Sequence, residues 1–172
     1  SHDDMLVCVG EILSQLRVDP KQPIERTSPY RMLDARAIKT MTESGLIDFG
    51  AHTASHTILA REWNRERVRG EIINSIREIE QLTGAPCRTF AYPNGGPNDF
   101  GPEDSRLLEQ LGIDVAVTTI AGPNMRNTPT LALRRYGVGM DCTSSGFRCL
   151  VHHFDARHIM RIVRGTWDAS PG

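Results

Sequence analysis

Residues 45–59, GLIDFGAHTASHTIL, decide how the rest of the chain is read. Leu46, Ile47 and Phe49 form a short apolar run that predicts a buried strand over 46–49. Gly50 ends the run, and a polar loop follows. That loop carries His52 and His56, two of the six histidines. Thr53 or Ser55 is suited to cap a helical turn there. On such a turn residues four apart share one face, so both imidazoles reach a single metal ion. A strand end that delivers ligands into a loop is how open α/β folds present their chemistry. Two histidines four apart also arise by chance, so the pair needs support from elsewhere in the chain.

The flanking segments supply the architecture. Residues 5–16 are apolar at helical spacing and predict an amphipathic helix, which Asp3 or Asp4 would cap. Residues 18–29 hold three prolines and several charges, and read as a surface connection. A second helix is predicted over 33–43, stopping at Gly45. Residues 65–82 place Val68, Ile72, Ile73, Ile76, Ile79 and Leu82 mostly three or four apart, the stripe of a long amphipathic helix. Strands are predicted over 87–92, 115–120 and 131–138, with a short helix over 103–111 and a helical end over 144–163. Strand and helix alternate, which implies a parallel sheet with helices packed outside.

Composition points to one domain that buries its own core. The apolar fraction is 39% and the net charge −1. That balance gives no sign of a nucleic-acid or anionic-membrane surface, and no apolar run approaches a membrane span. No signal peptide is visible. Cys8, Cys87, Cys142 and Cys149 match no zinc-knuckle or disulfide spacing. Free thiols lean slightly towards a reducing, cytoplasmic interior, but the compartment stays unassigned, since a signal peptide could precede these residues.

Downstream of the histidines lies residues 88–95, RTFAYPNG. Together with the GAHTASH loop it resembles the polysaccharide deacetylases of carbohydrate esterase family four. The likeness runs from about Met32 to about Val138, and both motifs are present in full. The resemblance implies an α/β fold: a partial, distorted (β/α) barrel with the first β-α-β unit missing, because the family's opening Thr-Phe-Asp-Asp-Gly strand is absent from these residues. Residues 1–172 are then a single domain, its C-terminal part, with 1–30 as N-terminal helix and connection.

The same resemblance implies the site. His52 and His56 would bind Zn²⁺ or another divalent transition metal, with the third ligand and the base both aspartates of the absent strand. The Tyr92 backbone N–H would help hold the oxyanion of a hydrated acetamide. Arg88 would orient the catalytic aspartate, although an arginine at a strand start is as readily a surface residue. Arg135 would support the site. Pro93, Asn94 and Asn98 fall where a sugar-binding loop would be. Trp63 is suited either to stack a sugar at the rim or to pack. The general acid would come from the region of His152 and His153.

The function implied is metal-dependent deacetylation of the N-acetylated sugars of an exopolysaccharide or cell-wall polymer, with this stretch catalytically incomplete. Two other readings stay open: a carbohydrate-binding module without chemistry, and a hydrolase of non-sugar amides. The expected partners are an N-acetylated polysaccharide or oligosaccharide and further copies of the chain. Without the first unit, strand 46–49 would lie at an open edge, which the N-terminal helix or a neighbour's would cover as a homo-oligomer.

Overall fold

A computed structural model describes residues 2–21, 28, 32–139 and 142–151. They form five α-helices and two short strands, three helices in succession and then strand and helix in alternation. They are α1 (His2–Gln15), α2 (Ala35–Glu43), α3 (Arg65–Thr83), β1 (Thr89–Ala91), α4 (Pro102–Gln110), β2 (Val115–Val117) and α5 (Ser144–Val151). The predicted tail helix beyond residue 151, with His152, His153, His158 and Trp167, lies outside the described residues.

The helix ends follow from the sequence. Asp34 caps α2, its carboxylate accepting the Ala37 N–H at 2.8 Å. Asn64 does the same for α3, accepting from Glu66 and Arg67. Gly84 terminates α3 at φ 71° in the left-handed region that favours glycine. At α4 the Asp104 carboxylate reaches back to the Gly101 N–H at 2.8 Å.

The sheet is parallel throughout. β1 pairs with β2 in the register Thr89–Val115, Phe90–Ala116 and Ala91–Val117. Single bridges extend it on both sides, Ala51 to Phe90 and Val117 to Leu133. The order is therefore Ala51, β1, β2, Leu133, with α3 and α4 as the crossovers. Val68, Ile72 and Ile76 of α3 and Leu108 of α4 are buried with Phe90, Tyr92, Ala116 and Leu59 in one core. This is an α/β arrangement, as expected from the alternation.

Two predicted strands are not formed. The apolar run 46–49 does not pair; Leu46 is 85% exposed. Pairing begins only at Ala51, whose N–H donates to Thr89 O and whose carbonyl accepts from the Ala91 N–H, both at 2.9 Å. Gly50 permits that approach, because a Cβ there would meet the Thr89 hydroxyl at 2.5 Å. Within 131–138 the chain instead makes a 3-10 turn over Thr130–Ala132 and one bridge at Leu133. Pro129 removes a donor where the run would start. α1 is helical as predicted, but Leu6, Val7, Val9 and Ile12 are exposed.

Candidate functional site

The histidine loop leaves the sheet at Ala51, beside the end of β1. The His52 backbone N–H donates to Ser75 Oγ at 3.0 Å. Its ring Nδ1 lies 2.7 Å from Ala91 O. A carbonyl only accepts, so Nδ1 carries a proton, and in the neutral ring Nε2 then presents the lone pair. A backbone carbonyl that fixes an imidazole tautomer in this way is the usual outer support of a metal-binding histidine. The His56 ring stands edge-on to His52, with centroids 4.8 Å apart and planes at 77°.

No helical turn brings the two rings together. Thr53 (φ 60°) and His56 (φ 59°) are both left-handed, a conformation costly to residues with a Cβ. The buried Thr53 hydroxyl has no hydrogen-bond partner among the described residues. Strained backbone persists only where neighbours hold it, and here α3 does so. Glu71 accepts the Ser55 N–H at 2.8 Å and the Ser55 hydroxyl at 2.9 Å, while its own carbonyl accepts the Ala54 N–H at 3.1 Å. Reading the sequence for function did not single out Glu71 or Ser75. The available signal was Ser75 itself, a polar residue on the buried stripe between Ile72 and Ile76.

A cleft of about 530 Å³ opens beside the histidines, lined by His56, Asn94, Arg61, Glu62 and Met5 of α1, among others. Asn94 belongs to the RTFAYPNG motif. The turn that carries it is narrow: at Gly95 (φ 68°) a Cβ would lie 3.0 Å from the Thr119 N and 3.1 Å from the Tyr92 O. Asn94 is also left-handed, at φ 56°, and its carbonyl accepts the Thr119 hydroxyl. Its backbone N–H has no partner among the described residues.

Three residues of the motif are placed differently from what the resemblance implies. The Tyr92 N–H is not available to an oxyanion, because it donates to Val117 O at 3.1 Å and so continues the β1–β2 ladder. The Tyr92 side chain is core, with its hydroxyl donating to Leu131 O at 2.8 Å. Pro93 is buried, so it shapes the turn without offering a contact surface. Arg88 pairs with Asp114 at 3.3 Å at the other end of β1 from His52, and both side chains are 62% exposed. Such a pair contributes about 0–1 kcal/mol and orients nothing at the cleft. Arg135 donates through Nε to Thr118 O and through its backbone to Ile120 O, which secures the end of β2. Trp63 is 85% exposed and faces a separate cleft.

The donor set suits a divalent transition metal in part. Two imidazoles, one with its tautomer fixed, offer nitrogen ligands. No group of three or more His, Cys, Asp or Glu side chains able to hold a metal gathers among the described residues.

Comparison with known proteins agrees with the architecture. The family model for polysaccharide deacetylase matches residues 24–116. No curated protein sequence matches the chain. Among solved structures, Streptococcus pyogenes deacetylase PplD in complex with acetate is 19% identical with a TM-score of 0.63, over 74% of this chain and 53% of that one. BC0361, a polysaccharide deacetylase from Bacillus cereus, is 23% identical with a TM-score of 0.60, over 81% and 45%. IcaB from Ammonifex degensii is 21% identical with a TM-score of 0.56, over 85% and 66%. At these identities the likeness is one of fold. The chain spans about half the length of the first two.

Proposed function

The chain belongs to the polysaccharide deacetylase family, and from that premise we propose a metal-dependent deacetylase-like domain for N-acetylated sugars of an exopolysaccharide or cell-wall polymer. The observation that carries this reading is the His52–His56 pair, edge-on at 4.8 Å, with the His52 tautomer fixed by Ala91 O. Zn²⁺ or a similar ion held by His52 Nε2 and His56 would supply Lewis acidity to an acetamide carbonyl. The rest falls to the chain. As water adds to that carbonyl, negative charge develops on its oxygen, and a fixed backbone N–H stabilises it. Asn94 offers that group in place of Tyr92: its N–H has no partner among the described residues, and the buried Pro93 and the tight Gly95 turn hold the residue at the cleft that His56 lines.

Only two ligands converge among the described residues, and a catalytic zinc takes three. We therefore read these residues as catalytically incomplete by themselves. The same observation is what favours the binding-module alternative. The wider architecture is read as a distorted (β/α) barrel without its first β-α-β unit. Gly50, at the outer edge of the sheet, has no backbone partner among the described residues, which supports that reading.

Calorimetric titration with zinc tests the site. Wild type is expected to bind weakly, His52→Ala to lose binding, and Glu71→Gln to weaken it about tenfold by loosening the clamp on the loop. Equal binding by the His52→Ala/His56→Ala double variant would end the assignment.

Self-association follows from the same reading. The exposed apolar residues of α1 and the open edge need cover. Light scattering at micromolar concentration is expected to show a dimer or larger species that residues 1–28 are needed to form. A monomer unchanged by their deletion would remove both the edge and the helix from the argument.

A further inference from the structure

We propose that Arg61 selects for an acidic glycan, one with a carboxylate on or next to the N-acetylated sugar held beside His56. The inference rests on the deacetylase reading for the saccharide itself; the charge preference is its own.

Arg61 and Glu62 are the charged residues among the described lining of the histidine cleft. They are neighbours in sequence but not partners. The Glu62 carboxylate is buried, accepts the Asn64 N–H at 3.0 Å and lies 3.6 Å from Arg67. Glu71, the carboxylate behind the histidine loop, is taken up by the Ser55 N–H and hydroxyl. Asp4, next to Met5 on α1, has a partner of its own. Arg61 has no ion pair or side-chain hydrogen bond among the described residues. The cleft thus holds a positive charge that the residues described around it do not compensate.

The backbone that carries this charge is fixed. Arg61 closes the 3-10 turn Leu59–Arg61, and its N–H donates to Ile58 O at 3.0 Å. Leu59 is fully buried, and the Ala60 N–H donates to Asp99 O at 3.1 Å. A guanidinium on a held backbone has less freedom to lose when it meets a ligand.

The chemistry of that group narrows the ligand. A neutral glycan offers a guanidinium only hydroxyl and carbonyl oxygens. A carboxylate offers two oxygens in one plane, which match the guanidinium fork and add charge. An unpaired cation in a cleft also raises the local concentration of anions over neutral analogues. The cleft, at about 530 Å³, has the size of a small-molecule site and contains Arg61 and His56 together. A carboxylate at Arg61 therefore belongs to the acetylated ring or to its neighbour in the polymer. The first source is a lactyl ether on the acetylated ring, the second a uronate in the adjoining ring.

Calorimetry on the full chain separates these sources. A hyaluronan tetrasaccharide, which alternates N-acetylglucosamine with glucuronate, is compared with chitotetraose. The disaccharide of N-acetylglucosamine and N-acetylmuramic acid is compared with chitobiose. At least one acidic oligomer is expected to bind about fivefold more tightly than its neutral counterpart, the scale of a partly exposed ion pair. The advantage is expected to shrink as salt is raised, to vanish in Arg61→Gln and to persist in part in Arg61→Lys. Equal affinity for acidic and neutral oligomers in wild type, or a preference undiminished in Arg61→Gln, overturns the charge selection alone. Binding of no oligomer of either kind overturns it together with the deacetylase reading.

Discussion

Tyr92→Ala is expected to remove a large share of the folding stability. Tyr92 is 1% exposed, stacks on Phe100 and meets Phe90 edge-on at 5.4 Å. Its hydroxyl donates to Leu131 O and lies 3.1 Å from Ser105 Oγ. One side chain thus ties the end of β1 to α4 and to the turn before Leu133. Truncating a buried aromatic costs about 3–5 kcal/mol, against a typical total of about 5–15 kcal/mol. The urea midpoint should fall sharply; a midpoint equal to wild type would refute the core role. Tyr92→Phe should cost about 1–2 kcal/mol, mainly by leaving Leu131 O unpaired.

The same phenol gives a pH signature. Burial raises its pKa above the ordinary 10.0, and the Asp104 charge raises it further, partly offset by the Ser105 hydrogen bond. The folded protein then holds the proton more tightly than the unfolded chain. Its contribution is complete below pH 10.0 and is lost as pH rises towards the higher folded value. Wild-type stability should therefore decline above that pH more steeply than that of Tyr92→Phe. Parallel declines would count against this assignment.

The helices were legible because their signals are local. The stripe of α3, its Asn64 cap and its Gly84 stop lie within one contiguous segment. The strands were less so. An apolar run such as 46–49 carries no information about what it pairs with, and the pairing starts two residues later, at Ala51. The histidine pair was legible as residues and spacing, but its geometry was not. Spacing of four suggested a helical face, whereas left-handed Thr53 and His56 turn the loop and Glu71, sixteen positions from Ser55, holds it. Non-glycine residues at positive φ leave little trace in sequence. The state of the Tyr92 N–H was hidden for a related reason. Tyr92 ends the motif's apolar run, and only the β1–β2 register shows that its N–H is already bound.

Acetate release from N-acetylated chitooligosaccharides by this 172-residue chain is expected to lie about 10²–10⁴-fold below that of a relative with an intact Thr-Phe-Asp-Asp-Gly strand, even with zinc supplied. Hydration of an acetamide needs a base for the attacking water, and general-base assistance is worth about that factor. The carboxylates near the cleft already have partners. Glu62 accepts from Asn64 and lies 3.6 Å from Arg67. Glu71 is committed to Ser55, and Asp104 to Arg65 and Gly101. Freeing Glu62 or Glu71 for proton transfer would undo the α3 cap region or the histidine clamp. The residues that position the imidazoles are therefore poor substitutes for the absent aspartates. Side-by-side acetate assays on the same oligomer, with a family member that carries that strand as the reference, decide the point. Release at a comparable rate that disappears with His52→Ala would show that one of these carboxylates, or a residue beyond those described, serves as base after all.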